Sequence, residues 1–245
     1  MRNIKMTLEY CGINYRGWAK QPGFLTIEGV LSDRLEEILK EKPGLIAAGR
    51  TDAGVHAKAQ VVNFFTKRSI PNEGLKKALN ALLPGDIRVL KVKDAPFEFH
   101  SRFSAKKKDY QYVISKKYSV FEKGLVFYCP YNLDINIMRE AARLFTGSRN
   151  FKKFSLTDKR REKINTVRNL YKLGIIAKQD KIILNFSGES FLRGMIRQIG
   201  GILLEVGRGR FNPDIIKKAL KSNIPMKEKW TLLPADGLYL VKVYY

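Results

Sequence analysis

Cysteine is nearly missing from this chain. Cys11 and Cys129 are the only two among 245 residues, and neither lies in a CxxC spacing or beside a histidine pair. That excludes a disulfide framework and a cysteine-based zinc site, fits a reducing cytoplasm, and leaves both thiols as small packing residues. Histidine is as scarce, with His56 and His100 alone. A metal-dependent nuclease needs clustered carboxylates and histidines, and here only Asp52 and His56 stand together. No apolar run reaches the roughly 18 residues of a membrane span, so no membrane partner is expected. The start, Met1-Arg2-Asn3-Ile4-Lys5, lacks the apolar region of a secretory leader. Acidic residues are outnumbered, 23 Asp and Glu against 46 Lys and Arg, for a net charge of +23. Such an excess points to a polyanion, because phosphate contacts release counterions and give salt-dependent affinity. Charge does not separate RNA from DNA.

What is present is a globular pattern. An apolar content of 44% supplies a core, and the length suits one large domain or two of about 120 residues. Ile4 to Tyr10 alternates like a strand. Thr26 reads as the cap of a helix over 27–39, with Ile27, Val30, Leu31, Leu35 and Ile38 at three- and four-residue spacing. A strand-like run over 45–48, a strand over 60–65, a helix over 73–82 closed by Leu83-Pro84-Gly85, and a strand over 86–92 follow. The order β-α-β-β-α-β is the split βαβ, ferredoxin-like pattern. A second, less regular copy follows, with a strand from Asp109 and a helix over 134–145. Strands over 166–177 and 181–187 are joined at Gln179-Asp180, and a helix runs over 191–206. The basic stretch Lys159-Arg160-Arg161-Glu162-Lys163 reads as a loop. No linker or low-complexity segment separates the halves, which divide near residue 101 into 1–101 and 102–245. The expected fold is α+β. Two ferredoxin-like halves merge into one antiparallel sheet with helices on the back and a central RNA-binding cleft.

One stretch concentrates chemistry. Gly49-Arg50-Thr51-Asp52-Ala53-Gly54-Val55-His56-Ala57 lies between the apolar runs Leu45–Ala48 and Val61–Phe65. A loop at a strand end is where a rigid scaffold aims side chains. Arg50 near Asp52 favours the ionised carboxylate. As residues alone, the same stretch also reads as a hairpin connection with Asp52 forming the turn. The stretch resembles the signature of the TruA family of tRNA pseudouridine synthases, and further blocks follow in the family's order. Cys11-Gly12-Ile13-Asn14-Tyr15-Arg16-Gly17-Trp18 is similar to its Tyr-Asp-Gly-Thr and Gly-Trp-Gln block, with Cys11 where Asp is usual and Ala19 where Gln is usual. Trp18 and Tyr15 are read as packing residues, with RNA stacking as the alternative. Phe99-His100-Ser101-Arg102-Phe103-Ser104-Ala105 resembles Phe-His-Ala-Arg-Phe-Ser-Ala, with His100 read as a structural hydrogen-bonder. Asn150 stands where that family has an acid. Phe191-Leu192-x-x-Met195-Ile196-Arg197 resembles Phe-Leu-x-x-Met-Val-Arg, and Pro234-Ala235-Asp236-Gly237 resembles the closing block.

The resemblance implies an isomerase that turns uridine into pseudouridine at positions 38, 39 and 40 of the tRNA anticodon arm. It implies a flipped-out base, Asp52 as the catalytic carboxylate, and Arg197 paired with it. Arg50 fills the gap left by the flipped nucleotide or holds its phosphate, and Tyr110 stacks on the base. No cofactor and no metal are required, and a cytoplasmic homodimer is implied. The run Lys106-Lys107-Lys108 reads as solvated and facing phosphates. On the wheel of the 191–206 helix, Arg193, Arg197, Gly194, Gly200 and Gly201 lie opposite the apolar side, a face that lets another surface approach closely. A non-catalytic RNA-binding module of the same topology would explain the charge but would have no use for Asp52 among cations.

Overall fold

The computed structural model describes residues 1–156, 165–221 and 228–245. The basic stretch 159–163 lies outside the described residues. In chain order the first elements are β1 (Arg2–Tyr10), α1 (Ile27–Leu39), β2 (Ile46–Ala47), β3 (His56–Thr66), α2 (Asn72–Leu82) and β4 (Ile87–Ala95). They are followed by β5 (Lys107–Ser115), β6 (Phe127–Tyr128), α3 (Ile135–Arg143), β7 (Gly147–Asn150) and β8 (Val167–Lys178). The last are β9 (Lys181–Gly188), α4 (Met195–Gly207), α5 (Asp214–Lys221) and β10 (Leu238–Tyr244). The fold is α+β. Among the described residues, no helix is long and apolar enough to cross a membrane.

The chain forms two compact units, Met1–Lys106 with Tyr239–Tyr245, and Lys107–Leu238. The sequence places the division near residue 101 and the closing strand in the second half. In the structure the division falls at Lys106 and Lys107, and Tyr239–Tyr245 return to the first unit.

In the first unit β4, β1 and β3 are antiparallel neighbours, with β2 antiparallel on the outer edge of β3. This is the ferredoxin-like order. β2 covers only Val62 and Asn63, and β10 takes the other end of the same edge in parallel, pairing Tyr239 with His56 and Leu240 with Ala57. The expectation of a purely antiparallel sheet is therefore corrected. A two-residue β2 leaves backbone groups of β3 unpaired, and a distant strand supplies partners for them. Helix α1 starts where its cap predicts, because the Thr26 side chain accepts the Gly29 N–H at 3.3 Å. Its Ile27, Leu31, Leu35 and Leu39 are buried, with Leu75 and Leu79 of α2 and the inward Ile4, Met6 and Leu8 of β1.

In the second unit the order is β5-β9-β8-β7, all antiparallel, and β6 adds to β5 in parallel. The β8–β9 hairpin turns at Gln179, whose φ is +51°. Asp134 caps α3 by accepting the Asn136 and Ile137 N–H groups. The helix expected over 191–206 begins only at Met195. Gly194 at φ +69° is left-handed, and a Cβ there would lie 2.7 Å from Leu156, so the preceding residues form a turn.

Candidate active site

The loop between β2 and β3 is held from three sides. Thr51, 7% exposed, shares a 2.8 Å hydrogen bond with the Tyr10 hydroxyl. Its carbonyl accepts the Trp18 N–H at 3.0 Å. The Gln60 amide donates to the Gly49 carbonyl at 2.7 Å. The Asp52 carbonyl accepts the Val55 N–H at 3.1 Å, which closes a tight turn through Gly54 at φ +79°, and Gly54 N–H donates to the Tyr15 carbonyl. Within this frame the Asp52 side chain is half-buried and Arg50 is exposed.

The glycines of the 12–17 loop explain how close the frame is. A Cβ on Gly12 would stand 2.1 Å from the Val55 oxygen, and one on Gly17, at φ +91°, 2.6 Å from the Thr51 oxygen. The two loops touch through bare backbone, which no side chain allows. Trp18 and Tyr15 are 1% and 4% exposed. Both are buried, in keeping with the reading of them as packing residues. Tyr15 donates to the Asp86 carboxylate at 2.5 Å. His56 is buried, accepts the Gly12 N–H on Nδ1 at 3.1 Å and stacks on Tyr239 at 4.6 Å. It positions the start of β3. His100 accepts the Arg102 and Phe103 N–H groups on Nδ1, in keeping with a structural role. Burial pushes the Tyr10 phenol up to about 12, against the pull of its bonds to Thr51 and Gln60. The Tyr10-Thr51-Gln60 network escapes the reading of the sequence. Its signal is Gln60, an amide at the head of the apolar run Val61–Phe65.

In the second unit Arg197 occupies the first turn of α4 and donates Nε to the Leu233 carbonyl at 2.6 Å. The glycine face of this helix is filled by the chain itself. A Cβ on Gly201 would lie 1.8 Å from the Thr231 oxygen, and one on Gly200 2.6 Å from Leu233. Tyr110 is buried and meets Phe191 edge-on at 5.1 Å. The solvated reading of the lysine run needs correction. Strand β5 alternates, so Lys108 points with Tyr110, Tyr112 and Ile114 and is only 9% exposed. Lys107 is half-buried, 3.9 Å from Asp109, and only Lys106 is exposed. Arg50, Asp52 and Lys106 thus belong to the first unit, and Lys107, Lys108, Tyr110 and Arg197 to the second.

The family profile described as tRNA pseudouridine synthase matches residues 6–104 and 141–245. Among curated relatives, tRNA pseudouridine synthase A of Caldicellulosiruptor bescii is 39% identical over 247 aligned positions, covering 100% of both chains. The protein of that name from Clostridium acetobutylicum is 37% identical over the same coverage. That of Bacillus pumilus is 39% identical, covering 99% of this chain and 98% of its own.

Proposed function

The chain belongs to the tRNA pseudouridine synthase family, and from that premise we propose that Asp52 carries the isomerisation of uridines 38, 39 and 40 in the tRNA anticodon arm. The enzyme is an isomerase: the N1–C1′ bond of the nucleotide breaks, the uracil turns, and a C5–C1′ bond forms while C5 loses a proton and N1 gains one. A duplex hides these atoms, so the target nucleotide leaves its stack before reaction. Asp52 supplies the carboxylate, either by attacking C1′ or by removing a ribose proton to give a glycal. Both routes need it ionised and fixed. Arg197 is the cation assigned to hold it so. Arg50 takes the space or the phosphate of the flipped nucleotide, and Tyr110 stacks on the base. Of Lys106, Lys107 and Lys108, the exposed Lys106 is the member that reaches phosphate. The working form is a cytoplasmic homodimer.

The observation that carries this reading is the frame around Asp52. The residue before it is buried and bonded to Tyr10, and its own carbonyl closes a turn on Val55. A half-buried carboxylate is thereby aimed from a rigid loop, next to an exposed arginine. The two matched segments, 6–104 and 141–245, include Asp52 and Arg197 respectively. The test is tritium release from tRNA labelled at uracil C5, with product positions mapped by mass spectrometry. The wild type should release tritium at the anticodon arm. Asp52→Ala and Asp52→Asn should release none while binding tRNA with near wild-type affinity. Substantial turnover by Asp52→Ala would sink the assignment.

A further inference from the structure

The face of the first unit's sheet away from its helices, partly covered by the Phe99 and Tyr245 rings, contains an arrangement that disfavours the free fold. In β1, Ile4, Met6, Leu8 and Tyr10 are buried on the helix side, so Lys5, Thr7 and Glu9 point to the other face. In the register with β4, Lys5 stands directly opposite Lys93 and Thr7 opposite Lys91. Residues so paired share a face with Cβ atoms about 4.5–5.5 Å apart, where like charges destabilise. Among the described residues, no carboxylate lies within salt-bridge distance of Lys5, Lys91 or Lys93.

Lys5 is also held in position. Its Nζ lies 4.4 Å from the Phe99 ring centre and 3.8 Å from that of Tyr245. These rings are themselves pinned. The Phe99 carbonyl accepts from the Asn3 and Asn63 amides, and the Tyr245 hydroxyl donates to the Ser101 carbonyl at 2.9 Å. Burial, helped by the charge of Lys93, lowers the Lys5 pKa from its ordinary value. A fixed ammonium beside two exposed ones, without an acid, is what an anionic oxygen would satisfy. The place fits a long anion that reaches the catalytic loop. Lys5 is five residues, or roughly 17 Å along the strand, from Tyr10 at the end of β1, where β1 pairs with Ala57 beyond the signature loop.

We propose that Lys5 and Lys93, with Lys91 beside them, form a phosphate site for the tRNA backbone on this face, an anchor remote from the chemistry of Asp52. The proposal rests on the reading of the protein as a tRNA enzyme. Its signature is a trade: the free protein is strained by the pair, and the complex is satisfied by it.

The experiment uses the full chain and an unmodified tRNA transcript. It measures melting temperature, affinity against salt, and the single-turnover rate at saturating enzyme. Lys93→Gln should raise the melting temperature by about 1–3 °C. It should weaken binding about three- to tenfold near physiological salt and make the log–log salt slope shallower by about 0.9. The saturated rate should not change. Lys93→Arg should keep both affinity and slope. Lys5→Gln should also lose affinity, with a lower melting temperature because the ring contacts go with the charge. Unchanged affinity and slope in Lys93→Gln would overturn the site, as would a lowered melting temperature or a fallen saturated rate. A wild type that binds tRNA but releases no tritium would instead overturn the proposed function, leaving the salt slope of Lys93→Gln to decide the phosphate site.

Discussion

A carboxylate that must be ionised in the company of RNA depends on its neighbours more than on itself. Arg197 is anchored through Nε to the Leu233 carbonyl at 2.6 Å, which fixes the orientation of its guanidinium. If it supports Asp52, Arg197→Ala should lower the single-turnover rate about 100- to 1,000-fold, the usual loss when a preorganised electrostatic partner is removed. Arg197→Lys should recover part of that, since charge returns without the planar geometry. A variant that loses affinity at an unchanged rate would make Arg197 a phosphate contact only. Tyr10 acts at one remove, through Thr51. Its phenol sits near 12 in the folded protein against an ordinary 10.0. The unfolded chain therefore releases this proton first. The stability that comes from keeping Tyr10 neutral is full below pH 10 and is lost as pH climbs toward 12. Denaturant titration across that window should find the wild type weakening and Tyr10→Phe weakening less, from a lower starting stability because Thr51 and Gln60 lose a partner.

At the level of elements, the contact between the 12–17 loop and the signature loop is the joint that fixes the site. Gly12→Ala forces a Cβ into the Val55 carbonyl, so one loop must move. The expected result is a protein that still folds and binds tRNA but turns over at least tenfold more slowly, because misplacement of the reacting group by about an ångström is costly. Full activity in Gly12→Ala would mean that the joint is loose. Elements whose signals are local were legible in advance. The Thr26 cap and the spacing of Ile27, Leu31 and Leu35 define α1, and Gln179-Asp180 marks the β8–β9 turn. The loop around Asp52 stood out because glycine, charge and hydroxyl crowd it. The rest depends on what the chain meets later. The early residues of the expected 191–206 helix are lost because Gly194 abuts Leu156, a contact 38 positions away that no wheel can show. Helix α5, with Ile215, Ile216 and Ala219 buried, is too short for its spacing to stand out. The parallel seat of β10 on β3 follows from the brevity of β2, and Lys108 is buried because strand phase, not charge, decides where it points.

For the whole molecule, a charge of +23 has consequences only where cations are exposed. Lys108 is not, Lys107 is half-buried beside Asp109, and Lys106 is open to solvent. Three adjacent lysines therefore should not act alike. Binding of tRNA should weaken steeply with salt. Five phosphate contacts would give a log–log slope of about −4. Lys106→Gln should make that slope shallower by about one and leave the saturated rate unchanged. Lys108→Gln should leave the slope where it is and alter stability instead, because it changes a packed position on the Tyr110 face. The check is anisotropy of labelled tRNA over a salt series, with thermal melts of the same variants. A wild-type slope near zero would mean that the excess of lysine is compositional and that affinity comes from base and shape contacts. Equal slope changes for Lys106→Gln and Lys108→Gln would mean that Lys108 reaches phosphate despite its burial. The strand phase of β5 would then have to shift when RNA binds.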